Sequence, residues 1–133
     1  MESIDAGQDT GPFPGGGVNS GQAREVARLL LERLEVPPER AADVLTVVSE
    51  LTANARQHAG GVTGFRITAQ PGAVLVEVSD ASARLPVERE WSPAEPGGFG
   101  WRLVNQLAVT TGIRCHRGGK TITATITITP PVP

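Results

Sequence analysis

Apolar residues first follow a helical period along this chain and later alternate with polar ones. After a glycine-rich start they recur every three or four positions, which predicts an amphipathic helix from Asn19 or Ser20 to about Glu35. Its expected apolar face consists of Ala23, Val26, Ala27, Leu30 and Leu34. Residues 1–18 show no such period, so we expect a disordered or loosely ordered tail without a strand there.

A second helical pattern follows, bounded by clear start and stop signals. Pro37, Pro38 and Glu39 suit a first helical turn, and the pair Gly60–Gly61 is typical of a left-handed helix end. The expected core face consists of Ala41, Val44, Leu45, Val48, Leu51 and Ala55. A second stripe beside it consists of Asp43, Val47, Glu50, Asn54 and Gln57. Polar side chains are therefore predicted at the edge of the core.

Two strands are predicted next, over residues 62–69 and 73–80, with a turn at Pro71–Gly72 between them. Apolar and polar residues alternate in both. Asp80 falls on the apolar face of the second strand, in step with its valines. A carboxylate in that position requires a partner, because burying an unpaired charge is costly.

The last third of the chain contains an irregular segment, a helix and two strands. Residues 81–97 are irregular, and the stretch Gly97-Gly98-Phe99-Gly100 is predicted to lead into a helix. A short strand is expected over 110–114, and the alternation of threonine with apolar residues over 121–129 is typical of a strand with one side in solvent. This order of elements predicts a two-layer α/β sandwich, in which helices cover one face of a mixed, mostly antiparallel sheet.

Composition limits the classes of function. The length of 133 residues suits one domain, which we place at residues 19–130. A net charge of −2 argues against direct binding of nucleic acid, and no apolar run is long enough to cross a membrane. The single cysteine, Cys115, excludes an internal disulfide. No secretory signal is recognisable at the N-terminus, so a cytoplasmic protein is expected.

Residues at four places along the chain are candidates for a binding or catalytic site. Glu50 and Asn54 lie four residues apart on one side of the second helix, where they can serve as a base and a neutral metal ligand or form an ordinary surface pair. Asp80 is either a binding residue or the cap of a turn. The glycines of Gly98-x-Gly100 either let a ligand approach the helix start or form a tight entry loop. The fourth place, residues 117–120, most simply forms a hairpin.

In this order and spacing, the four features resemble the nucleotide-binding (Bergerat-type) fold of the GHKL superfamily, which includes histidine kinases, gyrase B, Hsp90 and MutL. The resemblance is strongest to the small branch of anti-sigma factor serine kinases, of the SpoIIAB and RsbW type. It spans residues 20–129. The stretches that carry it are 49–55 with His58 (the N box), 76–80 (the strand and aspartate of the first glycine box), 98–103 (the second glycine box) and 119–122 (the closing strand).

The resemblance implies a site for ATP and magnesium. Asn54 would be a ligand of magnesium, together with phosphate oxygens and water. Asp80 would accept a hydrogen bond from the adenine amino group, and Gly98 and Gly100 would let backbone amides approach the phosphates. Glu50 would accept a proton from an incoming serine hydroxyl.

Departures from the family pattern leave two functions open. Ala81, Ser82 and Ala83 follow Asp80 where the family has glycines, and by register Lys120 stands where the closing strand usually offers a threonine. The first function is that of a serine kinase that phosphorylates an anti-anti-sigma factor and binds a sigma factor. The alternative is a non-catalytic, nucleotide-responsive protein-binding module. A homodimer is possible in either case, although the expected lack of an N-terminal strand argues against it.

Overall fold

The structure is a computed structural model that describes residues 3–6, 17–82 and 99–130. Three helices and five strands lie within these ranges. In chain order they are β1 (Ser3–Ala6), α1 (Ser20–Arg33), α2 (Pro38–Ala59), β2 (Val62–Gln70), β3 (Ala73–Asp80), α3 (Phe99–Leu107), β4 (Thr110–His116) and β5 (Gly119–Thr127).

The five strands form one sheet in the order β1-β2-β3-β5-β4, and each of the four pairings is antiparallel. β3 lies in the middle, with Val76 opposite Ile67 of β2 and Ala124 of β5. Side chains at directly opposed positions share a face of a sheet, so this register aligns the apolar residues of three strands. The same register places Asp80 opposite Lys120.

The hydrophobic core lies between this apolar sheet face and the helices. α1 and α2 pack against each other and against the sheet, and α3 packs beside α2. Fully buried core residues include Leu30, Val44, Val48, Leu51, Phe65, Ile67, Val76 and Ile122. The predicted two-layer α/β sandwich with helices on one face is therefore confirmed, and its described strands are antiparallel throughout.

Local signals set the ends of the two long helices. The Asn19 side chain accepts a hydrogen bond from the Gln22 backbone N–H at 2.8 Å, and the Gln22 side chain accepts one from the Asn19 N–H at 2.9 Å. This capping box satisfies two backbone donors at the start of α1. Gly60, with φ of 76°, ends α2 in the left-handed conformation, as its sequence indicated.

The N-terminal part of the chain differs from its prediction. We expected no strand in residues 1–18, yet Ser3–Ala6 form an edge strand against β2, and Val18 makes an isolated bridge to Val62. A strand this short carries too few residues for apolar alternation to be visible. Its pairing depends on the unpaired backbone groups of β2, which the local sequence does not reveal.

Among the described helices, none is both long and apolar enough to span a lipid bilayer.

Candidate nucleotide site

Glu50 and Asn54 lie on the C-terminal half of α2, one helical turn apart. Both side chains are half-buried, while Val47, Val48 and Leu51 of the same helix are fully buried in the core. The packing of these apolar residues fixes the rotation of α2 about its axis. Glu50 and Asn54 are consequently held at the edge of the core, on one side of the helix, as predicted.

Gly100, in the first turn of α3, lies directly against the Glu50 side chain. A Cβ atom built on Gly100 would overlap Glu50 Oε2 and would lie 3.2 Å from the carboxyl carbon. The lack of a side chain at position 100 therefore makes room for the carboxylate. The structure thus brings together two of the predicted site residues that are 50 positions apart in sequence.

Two further predictions fall outside the described residues. The first is Gly98, the other predicted phosphate-binding glycine. The second is the predicted irregular segment over residues 81–97, of which the structure describes only 81 and 82. Both remain predictions.

Asp80 ends β3 on the core face and forms a buried ion pair with Lys120 of β5. Lys120 Nζ lies 3.0 Å from Asp80 Oδ1 and 2.9 Å from Oδ2. Both residues are only 2% exposed. A buried charge is stable only when it is paired, and the partner that the sequence required for Asp80 is thus a lysine.

The two oxygens of the Asp80 carboxylate have different surroundings. Oδ1 accepts hydrogen bonds from Lys120 Nζ at 3.0 Å and from the Ser82 backbone N–H at 2.9 Å. Oδ2 lies close to the ammonium but has no hydrogen bond of acceptable geometry, although it is buried. The ammonium also donates to the Ser82 carbonyl oxygen at 3.2 Å. Among the described residues, Oδ2 is therefore paired by charge alone, and Oδ1 carries the hydrogen bonds.

Gly119, at the start of β5, lets the two strands approach closely beside this ion pair. Its φ is 156°, and a Cβ atom there would overlap the carbonyl oxygen of Asp80. Any side chain at position 119 would push β5 away from the end of β3, and Lys120 with it.

Lys120 is the functional candidate that we did not assign from sequence. The sequence alone predicts a simple hairpin over residues 117–120, with Lys120 where the family's closing strand usually offers a threonine. The signal was present in the alternation of β5, because Lys120 is in step with the buried Ile122 and Ala124. A lysine on a core face must pair with a buried acid, and Asp80 was the only aspartate predicted on that face.

A separate groove of about 150 Å³ lies on the helix-free face of the sheet. Its lining includes Arg66, Glu77, Ser79, Arg114 and Thr121. These side chains alternate with those of the core face, so the groove and the Asp80 carboxylate lie on opposite sides of the sheet.

The sequence of residues 18–126 matches the family model of the histidine kinase-like ATPase domain. This match covers most of the chain and includes Glu50, Asn54, Asp80 and Gly100. The chain belongs to the histidine kinase-like ATPase family. No curated protein matches it significantly.

Solved structures of larger proteins share the fold. The structure of the RsbU and RsbW domains of Rv1364c from Mycobacterium tuberculosis matches 98% of this chain and 34% of its own, with 17% identity and a TM-score of 0.67. The blue-light activated histidine kinase EL346 of Erythrobacter litoralis matches 70% of this chain and 32% of its own, with 27% identity and a TM-score of 0.51. The structure of its separate histidine kinase domain matches 82% of this chain and 60% of its own, with 22% identity and a TM-score of 0.52. This histidine kinase-like ATPase domain therefore spans only about a third of the length of the first two chains.

The described residues fit an adenine nucleotide in three respects. The buried Oδ2 of Asp80 is an acceptor without a hydrogen bond, which suits an amino group of a base. Asn54 offers a neutral amide oxygen, a ligand type that magnesium accepts together with phosphate oxygens and water. Gly100 lies at a helix start, where backbone amides favour anions. The described part of the chain contains no group of three or more His, Cys, Asp or Glu side chains that could hold a metal ion by itself.

Proposed function

We propose that this domain binds ATP with magnesium and acts as a regulatory serine kinase that phosphorylates an anti-anti-sigma factor and binds a sigma factor. The contact between Glu50 and Gly100 carries the proposal, because it places a carboxylate against the first turn of α3, one turn along α2 from Asn54. A domain that only bound nucleotide would have no need of a carboxylate in that position. The fold shared with the RsbU and RsbW domains of Rv1364c supports the choice of partners.

Each described site residue has a distinct task in this proposal. Asn54 would hold magnesium, Asp80 would bind the base through Oδ2, and the amides at the start of α3 would face the phosphates. Bound ATP would supply the phosphoryl group. Glu50 would accept the proton of the partner's serine hydroxyl, and its contact with Gly100 supports a place near the phosphates. Phosphoryl transfer depends mainly on positioning and charge neutralisation, so these few groups suffice.

A phosphotransfer assay tests this function. The wild-type protein is incubated with radiolabelled magnesium-ATP and the anti-anti-sigma protein encoded nearest to its gene. We expect label on a serine of that protein, and we expect Glu50→Gln to reduce the rate by about a hundredfold or more, since a general base contributes that much. Glu39→Gln, at an exposed position in the first turn of the same helix, is the matched control and should behave as wild type. Equal rates for Glu50→Gln and wild type would exclude the kinase mechanism.

A second function is favoured by the ion pair at Asp80. Because Lys120 already neutralises this carboxylate, nucleotide binding could serve to change the conformation of the domain without turnover. Trp101, half-buried in α3 next to Gly100, provides a fluorescence signal for such binding. In a Trp91→Phe variant, where Trp101 is the single tryptophan, a saturable change of fluorescence on addition of magnesium-ATP, without phosphate transfer or hydrolysis, would establish this function in place of the first.

A further inference from the structure

An ion pair closes off the carboxylate that is proposed to bind the base. Asp80 and Lys120 are each only 2% exposed, and Lys120 Nζ lies 3.0 Å and 2.9 Å from the two carboxylate oxygens. The ammonium therefore stands where a donor to this carboxylate has to stand. A base that hydrogen-bonds to Asp80 needs the place that Lys120 occupies.

Oxygen atoms of two residues hold the Lys120 ammonium in this closed arrangement. Besides the Asp80 carboxylate, the Ser82 carbonyl oxygen accepts a hydrogen bond from Nζ at 3.2 Å. Lys120 lies directly opposite Asp80, and the close approach of the two strands at Gly119 keeps them together there. The pair thus stabilises the domain with an empty site, because either charge alone would be buried without a partner.

The neighbouring edge strand leaves the lysine a path to solvent. Cys115 of β4 is directly opposite Lys120 of β5, so the two side chains share the core face of the sheet. Cys115 is nevertheless exposed, and so is Ile113, two positions earlier on the same face. The described helices leave this part of the face uncovered. A rotation of the flexible lysine stem toward β4 therefore takes the ammonium to water while β5 keeps its pairing.

We propose that Lys120 is an internal competitor of the base. The ion pair closes the empty site, and a nucleotide binds only as the ammonium moves out toward β4 and the amino group of the base replaces it at Asp80. Breaking the pair consumes part of the binding free energy, so Lys120 lowers the affinity of the domain for ATP. The inference rests on the proposed function, because it requires that the base binds at Asp80.

Lys120 is the single lysine of the chain, and this makes its movement measurable in the wild-type protein. A pulse of an amine-acylating reagent, followed by mass spectrometry of the peptide that contains Lys120, gives its labelling rate. We expect slow labelling of the empty domain and a rise of about tenfold or more on saturation with magnesium-ATP. Unfolding cannot cause such a rise, because a ligand that binds the folded state makes unfolding rarer.

Magnesium with inorganic tripolyphosphate is the matched control, because it offers phosphates without a base. It should leave the labelling rate of Lys120 at that of the empty domain. If magnesium-ATP leaves the rate unchanged or lowers it at concentrations where it binds, the inference is overturned. An equal rise with tripolyphosphate would overturn it too, since the base would then not be the group that displaces Lys120.

Lys120→Thr tests the competition as a difference in affinity. Threonine is short and neutral and suits a strand, so Asp80 loses its internal donor and the base gains room. By isothermal titration calorimetry we expect ATP to bind this variant about tenfold or more tightly than the wild type. Arg117→Thr removes the same charge at an exposed position of the β4–β5 turn, and it should bind ATP no more tightly than the wild type. A folded Lys120→Thr with wild-type or weaker affinity would overturn the inference.

The outcomes separate this inference from the proposed function. If the wild type binds magnesium-ATP while Lys120 stays unlabelled, the ion pair does not compete with the base, and the proposed function stands. If the wild type binds no nucleotide, the proposed function itself fails. If Lys120→Thr does not fold, as judged by circular dichroism, the labelling of the wild type decides alone.

Discussion

At the scale of single residues, the position of Lys120 has the largest consequences. A fully buried ammonium is expensive to desolvate, and only the paired carboxylate of Asp80 makes its position on the core face stable. The pair therefore links the stability of the sheet to the chemistry of the site. Asp80, which Lys120 holds at the end of β3, is also the residue proposed to bind the base.

The stability of the protein should depend strongly on the integrity of this ion pair. Lys120→Met leaves the Asp80 charge buried without a partner, and we expect a loss on the order of 3–5 kcal/mol in the free energy of unfolding. Adding Asp80→Asn removes the second charge and should recover most of that loss. Urea denaturation of both variants provides the measurement. A loss below about 1 kcal/mol for the single variant would show that the pair is solvated in solution.

Gly100 allows the site to be perturbed without harm to the fold. Its backbone has no positive φ, and the atoms that a Cβ would overlap belong to the flexible end of Glu50. For Gly100→Ala we expect the free energy of unfolding to stay unchanged or to rise by up to about 1 kcal/mol, because alanine favours helix. The displaced carboxylate should slow phosphotransfer sharply. Thermal unfolding and the phosphotransfer assay together check this; a variant with wild-type transfer rate would show that Glu50 does not act from this position.

At the scale of elements, most of the fold was predictable because its signals are local. The capping residue Asn19, the stop at Gly60 and the alternation of β5 each act within a few residues. Asn54 and Glu50 were predictable as a pair for the same reason, since helix geometry alone sets their spacing. Strand β1 and the register that sets Lys120 opposite Asp80 depend on pairing between strands that are distant in sequence. The alternation of β5 puts Lys120 on the core face, but it does not give that register.

The capping box of α1 gives a prediction at this scale. Asn19→Ala removes the acceptor of the Gln22 N–H and should cost about 1 kcal/mol in the free energy of unfolding. Asn19→Ser keeps an acceptor and should cost much less. Chemical denaturation monitored by circular dichroism compares the two. Equal losses for both would mean that the side-chain oxygen does not cap α1 in solution.

At the scale of the whole molecule, the helices and the sheet each carry part of the proposed site. α2 carries Glu50 and Asn54, α3 carries Gly100, and the sheet carries Asp80 and Lys120. The core beneath α2 is built mostly from aliphatic side chains, which pack the helix against the sheet. The described elements thus bring Glu50 against Gly100 and Asp80 against Lys120.

Binding of magnesium-ATP tests this account most directly. Isothermal titration calorimetry should show one saturable site in the wild type, and Asn54→Ala should weaken binding by about tenfold or more because a magnesium ligand is lost. Gln57→Ala, at an exposed position of the same helix, should bind as the wild type does. A folded wild-type protein that shows no saturable binding, or equal affinities for Asn54→Ala and Gln57→Ala, would contradict the assignment of this edge of the core as a nucleotide site.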